Sequence, residues 1–276
     1  MKKKSKLLVF GKGFMGQRIS AELSCALSDR RILTLNDAIE EIVEYKPDTI
    51  VNCIGYTGKN SVDDCELDMD KTLHANSFVP VILAEAALRS KIKLVHISSG
   101  CIYHYDYAGQ SPITENDIPD FFDLYYSRSK IYSERALEVL FKGCDILMLR
   151  IRIPLDNRPH QKNILNKLIK YGKVIDIPNS VTYVPDFLAA LKYLLQINAK
   201  GLYNLTNKGA LRYPHLMEIY KRYRPDFQYE LVQINQVLKT PRTNLIMSTQ
   251  KLEEAGFAVR DINEVLEECV KEYVKY

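Results

Sequence analysis

Tryptophan is absent from the chain, and none of its six cysteines, at positions 25, 53, 65, 101, 144 and 269, belongs to a C-x-x-C pair. Neither these thiols nor the five histidines, His74, His96, His104, His160 and His215, show metal-ligand spacing, so no metal is expected. Cysteine used in this way is that of a reducing compartment and not of a disulfide scaffold. Charge of one sign is also missing. Against 38 Lys and Arg stand 34 Asp and Glu, a net charge of +4, and no basic cluster interleaves with aromatics, which excludes nucleic acid as an expected partner. No apolar run approaches membrane-spanning length. Met1 to Lys4 resemble the start of a secretory leader, but only Leu7 to Phe10 follow before Gly11, too short for its apolar core, and a cytoplasmic location is expected. No internal repeat or low-complexity tract occurs. What remains is an ordinary globular composition, 46% hydrophobic and 26% charged over 276 residues, enough for one large domain or two modest ones.

The first informative stretch is Gly11-Lys12-Gly13-Phe14-Met15-Gly16. It falls between an apolar strand, Lys6 to Phe10, and a helical pattern from Phe14 to Leu27. In that context G-x-G-x-x-G reads as a turn whose backbone N–H groups meet a pyrophosphate at a helix N-terminus. A second strand is expected over Arg31 to Leu35. The acid that usually ends this strand and takes the adenosine ribose is missing there, and Asn36 stands in its place. Lys12, Arg30 and Arg31 would face a 2′-phosphate, or form ordinary surface charge; NADP(H) is expected over NAD(H). A short helix over Asp37 to Tyr45 and a third strand over Asp48 to Gly55 follow, with Cys53, Ile54 and Gly55 at the cofactor edge. Asp70 to Arg89 is mostly helical, broken near Pro80, and carries Asn76. Lys91 to Ser98 is the fourth strand. This β-α-β-α alternation predicts an α/β fold with a doubly wound parallel sheet.

The fourth strand delivers Ser98-Ser99-Gly100-Cys101-Ile102-Tyr103. In extended chain Ser99 and Cys101 would leave on the same face, at the strand end where such sheets keep ligands. The same residues also read as a turn followed by a small buried thiol. Beyond a loop over 104–122, Tyr126 and Lys130 stand four apart on one helix face. An ammonium beside a phenol favours the phenolate, and the pair could protonate a carbonyl oxygen and hold a nicotinamide ribose.

Gly11 to Gly16, Ser99, Tyr126 and Lys130 together resemble the extended short-chain dehydrogenase/reductases that act on nucleotide sugars, in their dTDP-4-dehydrorhamnose reductase-like group. The resemblance is strongest to the plant and giant-virus UDP-4-keto-6-deoxyglucose 3,5-epimerase/4-reductases. It runs through Gly100 to Asp106, Tyr126 to Lys130, Leu149 to Pro154, Asn163 to Lys167, Val174 to Ser180, Tyr203 to Asn207 and Pro241 to Asn244. The family's glycine loop is usually one residue longer. The resemblance implies a Rossmann-type domain over 1–152, with 181–206 returning to it, and a smaller C-terminal substrate domain over 153–276. It implies that Ser99, Tyr126 and Lys130 serve reduction, and that Cys101 and Lys167 invert C3 and C5 of a 4-keto sugar. Asn163, Asn179, Arg242 and Asn244 would touch the nucleotide sugar, although Arg242 and Asn244 also read as surface loop and Lys167 as part of a solvated helix face. Two other readings stay open: a 4-keto reductase alone, and a non-catalytic NADP-binding regulatory subunit. The expected partner is a small-molecule nucleotide sugar, with no nucleic acid and no membrane, in a homodimer.

Overall fold

A computed structural model describes residues 6–59, 61–237 and 240–276. Met1 to Lys4, read above as leader-like, lie outside them, as do 238 and 239 of the expected substrate segment. Among the described residues no helix is long and apolar enough to cross a membrane, and no group of three or more His, Cys, Asp or Glu could hold a metal ion.

Strand β1, Leu7–Phe10, lies between β2, Ala26–Ser28, and β3, Thr49–Asn52, in parallel register with both. Strands β4, Lys93–Ser99, β5, Ile146–Ile151, and, further along the chain, β9, Gly201–Asn204, complete a six-stranded sheet of order β2-β1-β3-β4-β5-β9. Chain order reverses at β1, so the crevice at the carboxyl ends of β1 and β3 is where a doubly wound sheet binds its ligand. Every residue of β4 is buried, as a strand covered on both faces requires. Its Lys93 is tolerated because Nζ reaches Asp145 Oδ1 at 2.5 Å and the Ala199 carbonyl at 3.0 Å.

Helices α1, Phe14–Glu22, α2, Leu35–Tyr45, α3, Met69–Leu73, α4, Val79–Ser90, and α5, Tyr125–Leu140, flank this sheet. Helix α2 starts at a reciprocal cap in which Thr34 Oγ1 accepts from Asp37 N–H and the Asp37 side chain accepts from Thr34 N–H. The Thr34 N–H first, then its hydroxyl, hold the Asp37 carboxyl down at about 2. Ile42, Leu83, Ala87 and Leu94 belong to the apolar core of this unit.

Three expectations are corrected. The second strand is Ala26–Ser28, not Arg31 to Leu35, because α1 ends at Glu22 and Ser24 turns the chain at φ +49°. The helical run over 70–89 is broken not at Pro80, which sits in the first turn of α4, but at a π-turn, His74–Phe78. Strand β4 ends at Ser99 and the chain turns at once, so Cys101 is not in extended chain.

The chain divides into two units. One comprises the chain to Ile102 with Phe121–Leu149 and Leu195–Tyr203; the other comprises Tyr103–Asp120, Arg150–Leu194 and Asn204–Tyr276. Within the second, β6, Pro154–Leu155, pairs with β8, Thr182–Tyr183, and β7, Lys173–Val174, pairs with β10, Glu230–Leu231, all in parallel. Helices α6, Ile164–Tyr171, α8, Tyr213–Tyr223, and α11, Ile262–Tyr273, close over a core that includes Leu168, Leu216, Val265 and Leu266. Helices α7, Val184–Gln196, α9, Ile234–Val237, and α10, Gln250–Glu254, complete the fold. Of the segment expected to return to the first unit, β9 enters the main sheet, whereas Thr182 and Tyr183 pair with β6.

Candidate active site

The glycine loop is built for close approach. Gly11 has φ +102°, and a Cβ there would lie 2.8 Å from the Ile54 nitrogen. A Cβ on Gly16 would lie 1.9 Å from the Gly11 carbonyl oxygen. Around Gly13, by contrast, a Cβ would meet nothing within 4 Å. Gly13 is the N-cap of α1, no side chain caps that end, and no acid stands in the first turn. Orphan N–H groups, an open cradle and the positive end of a helix dipole suit a pyrophosphate. Phe14 and Met15 follow in the helix, Phe14 packed in the core.

Beside the loop opens a cavity of about 850 Å³, lined among others by Gly11, Lys12, Asp29, Arg31, Ile32, Ile54 and His74. It has the size and the mixed apolar and charged walls of an adenosine pocket. Asn36 is not part of it: the residue lies in the first turn of α2, well past the end of β2. The acid said to be missing is present as Asp29, directly after Ser28. The displaced reading of β2 hid it; a carboxylate after a short Ala-Leu-Ser run, following the glycine loop, was the available signal. The residues therefore fit a nicotinamide dinucleotide.

At the other end of the crevice, Gly55 leaves room for two polar groups. A Cβ there would lie 3.3 Å from Asn76 Oδ1 and 3.5 Å from Lys130 Nζ. Asn76, which sequence reasoning noted but gave no role, sits in the π-turn. Its side chain accepts from the Tyr56 N–H at 2.8 Å and donates to the Tyr56 carbonyl at 2.9 Å and to Ser129 Oγ at 3.1 Å. It ties the loop after β3 to α5, and nothing in the sequence marks that π-turn.

Helix α5 carries Tyr126 and Lys130, both buried. Its first N–H, of Tyr125, donates to Glu66 Oε1 at 2.5 Å, so a carboxylate satisfies the helix start. Burial pulls the Lys130 ammonium down to about 8, while Glu134, one turn on, works against that shift. The neighbouring His96 is neutral: burial first, then Lys130, hold it well below 6.5. Asn52 Oδ1 accepts from the Ile54 N–H, so its amide nitrogen faces His96 Nδ1 at 3.1 Å and leaves the imidazole proton on Nε2. Lys130 is thus the cation of this pair.

Ser99 closes β4, and its Oγ accepts from the Cys101 N–H at 3.1 Å. Ser127 Oγ on α5 donates to the Cys101 carbonyl at 2.7 Å, so the turn bearing half-buried Cys101 is fastened through both the N–H and the carbonyl of that residue. Cys53 is different in kind. Burial pushes its thiol far above the ordinary range, and a Cβ on Gly16 would lie 3.5 Å from the Cys53 Cβ, so Cys53 sits against the glycine loop as an uncharged thiol.

The remaining expected residues lie in the second unit. Lys167 sits half-buried on α6, its ammonium lowered by burial first and then by Lys162 and Arg242. Asn163 is corrected from the substrate to the scaffold. Its Oδ1 accepts from Asp156 and Leu165 N–H groups at 3.2 and 3.1 Å, and its nitrogen donates to the Asp156 and Arg158 carbonyls at 2.8 and 3.0 Å. All its hydrogen-bonding capacity goes to capping α6 and folding the preceding loop. Asn179 is buried, its Oδ1 2.7 Å from Arg152 Nη2 and its amide 2.6 Å from Asn244 Oδ1. Arg152 is itself buried and also donates to Thr243 Oγ1 at 3.1 Å, so Asn179 and Asn244 belong to one arginine-centred cluster that sequence reading did not anticipate. Arg242 hydrogen-bonds Thr240 Oγ1 and the Pro241 carbonyl of its own loop.

A family model described as the RmlD substrate binding domain matches residues 6–275. A trifunctional UDP-glucose 4,6-dehydratase/UDP-4-keto-6-deoxy-D-glucose 3,5-epimerase/UDP-4-keto-L-rhamnose-reductase of Arabidopsis thaliana is 29% identical over 91% of the chain, which spans 40% of that plant protein's length. A bifunctional dTDP-4-dehydrorhamnose 3,5-epimerase/dTDP-4-dehydrorhamnose reductase of the same plant is 28% identical over 94% of the chain and 90% of its own length. The crystal structure of the L780 UDP-rhamnose synthase from Acanthamoeba polyphaga mimivirus superposes with a TM-score of 0.89 at 25% identity, covering 98% of this chain and 99% of that one.

Proposed function

The chain belongs to the family described as the RmlD substrate binding domain, and on that footing we propose that it reduces the 4-keto group of a nucleotide-activated 6-deoxyhexose after inverting C3 and C5. The substrate we infer is UDP-4-keto-6-deoxyglucose and the product UDP-L-rhamnose, in line with the reactions named for the plant and mimivirus relatives. The observation that carries the reductive half is the buried Lys130, four residues beyond Tyr126 on α5 and against Gly55 at the cofactor edge.

Gly11 to Gly16, Asp29, Arg31 and Ile54 would hold the dinucleotide, and Lys130 its nicotinamide ribose. Bound there, the cofactor supplies hydride to C4. Tyr126 gives its phenolic proton to O4 as negative charge develops on that oxygen, and Ser99 offers a second hydrogen bond to it. A cationic Lys130 makes the phenol a stronger acid and stabilises the phenolate left behind.

Epimerisation uses the acidity that the carbonyl confers on C3 and C5. Removal of either proton gives an enolate, and return of a proton to the opposite ring face inverts the centre. Cys101 and Lys167 are the acid and base in this reading, and burial, which lowers the Lys167 ammonium, eases release of its proton. The test is to incubate the purified chain with NADPH and UDP-4-keto-6-deoxyglucose, and in parallel with the dTDP sugar, following NADPH oxidation and product configuration. UDP-L-rhamnose is expected. Oxidation only with a sugar already epimerised would reduce the reading to a 4-keto reductase, and cofactor binding without turnover would favour a regulatory subunit.

A further inference from the structure

Strand β4 carries a buried ionisable group that the proposed chemistry leaves unused. His96 lies mid-strand, level with Asn52 of β3, and is fully buried. Its side chain leaves β4 on the same face as that of Ser98, and Ser98 reaches Glu134, so this is the face that α5 covers. One edge of the ring is filled: the Asn52 amide meets Nδ1 and keeps the proton on Nε2. On the other edge, Nε2 has no hydrogen-bond partner among the described residues. A buried N–H donor left open is costly, and an internal water is the usual remedy. The ionisable groups that act on Lys130 are Glu134 on its own helix, Cys53 and Cys65, and the Lys130 charge is in turn felt at the His96 ring.

We propose that His96 holds an internal water against the Lys130 ammonium and so acts as a positioning residue for the cation on which Tyr126 depends. One lone pair of the water accepts from His96 Nε2–H and the other from a Lys130 N–H. A neutral imidazole in this tautomer sets no second charge beside the ammonium, yet through the water it returns part of the solvation that burial removes. Asn52, by donating to Nδ1, keeps the ring in that state. The inference rests on the reductase reading only for what Lys130 does.

Titration of the chain labelled with nitrogen-15 at histidine tests it, the His96 signal being assigned from its loss in His96→Gln. The ring is expected to carry its proton on Nε2 and none on Nδ1. Its Nε2 resonance should shift as Lys130 titrates near about 8 and stay still in Lys130→Met. In the reductase assay, His96→Leu should move the descending limb of kcat/KM to lower pH by about one unit, the effect of one hydrogen bond to a charged group. His96→Gln, whose amide restores an N–H donor, should bring the limb back. Thermal melts check folding, and the wild-type ring spectrum needs no variant. A proton on Nδ1, or an Nε2 resonance indifferent to Lys130, would overturn the proposal. So would a folded His96→Leu protein that is less stable but keeps its limb. The expected ring titration without turnover of any 4-keto sugar would instead leave the water site standing and overturn the reductase reading.

Discussion

Ser98 Oγ donates to Glu134 Oε1 at 2.5 Å, joining β4 to α5 one residue before Ser99 and one turn after Lys130. Both partners are buried. The bond holds Glu134, the carboxylate whose charge works against the lowering of the Lys130 ammonium by burial, and so links the strand that ends in Ser99 to the charge one helical turn from Tyr126.

A pH dependence follows. Lys130 loses its proton as pH rises through about 8, and kcat/KM for reduction is expected to fall there. Glu134→Gln removes the attraction that opposes burial, so the descending limb should move to lower pH by about one unit or more. A pH–rate profile of the two proteins checks this; an unmoved limb would detach Glu134 from Lys130. The same group affects folding with a definite sign. Its folded value lies below its ordinary 10.5, so between about 8 and 10.5 the unfolded chain binds more protons and this residue's contribution to stability rises with pH.

Gly16 and Gly13 should separate folding from cofactor binding. Gly16→Ala drives a methyl into the Gly11 carbonyl, 1.9 Å away, and should cost about 1–3 kcal/mol of stability along with cofactor affinity. Gly13→Ala meets no protein atom within 4 Å and occupies a backbone conformation open to alanine, φ −72°. It should melt like the wild type yet bind dinucleotide more weakly. Thermal melts with cofactor titrations distinguish the two, and a Gly13→Ala variant with full affinity would contradict a pyrophosphate at this helix end.

Asn163→Ala tests the reassignment of that residue. Loss of the α6 cap and of its loop contacts should lower stability by about 2 kcal/mol in denaturant titration. KM for the nucleotide sugar should change little in the fraction that stays folded. Unaltered stability with a raised KM would return Asn163 to the substrate.

Much of this site was legible because its signals are local. Gly11 to Gly16 and the Tyr126–Lys130 spacing are each written within one loop or one helical turn, and the structure sets the first between β1 and α1 and the second on one buried face of α5. The second strand was not. Ala26–Ser28 has only three ladder positions, while Arg31 to Leu35 is a richer apolar run in which only Ile32 packs inward, from a loop, and Leu33 is exposed. That displacement carried Asn36 into the cofactor site and hid Asp29. Asn76, Glu134 and Arg152 escaped for another reason: their partners lie 20 to 91 residues away in sequence, and no spacing rule reaches so far.

The most direct measurement uses UDP-4-keto-6-deoxyglucose in deuterated water, with NADPH labelled at the transferable hydride by tritium, on the wild-type chain and on Tyr126→Phe and Cys101→Ala. UDP-rhamnose carrying tritium at C4 and deuterium at C3 and C5 is the expected product. Tyr126→Phe should slow C4 labelling by about 10²-fold or more, and Cys101→Ala should abolish deuterium at one or both of the other carbons. Label at C4 with none at C3 or C5 would leave a reductase without epimerase activity, and no label at C4 would contradict the account at its centre.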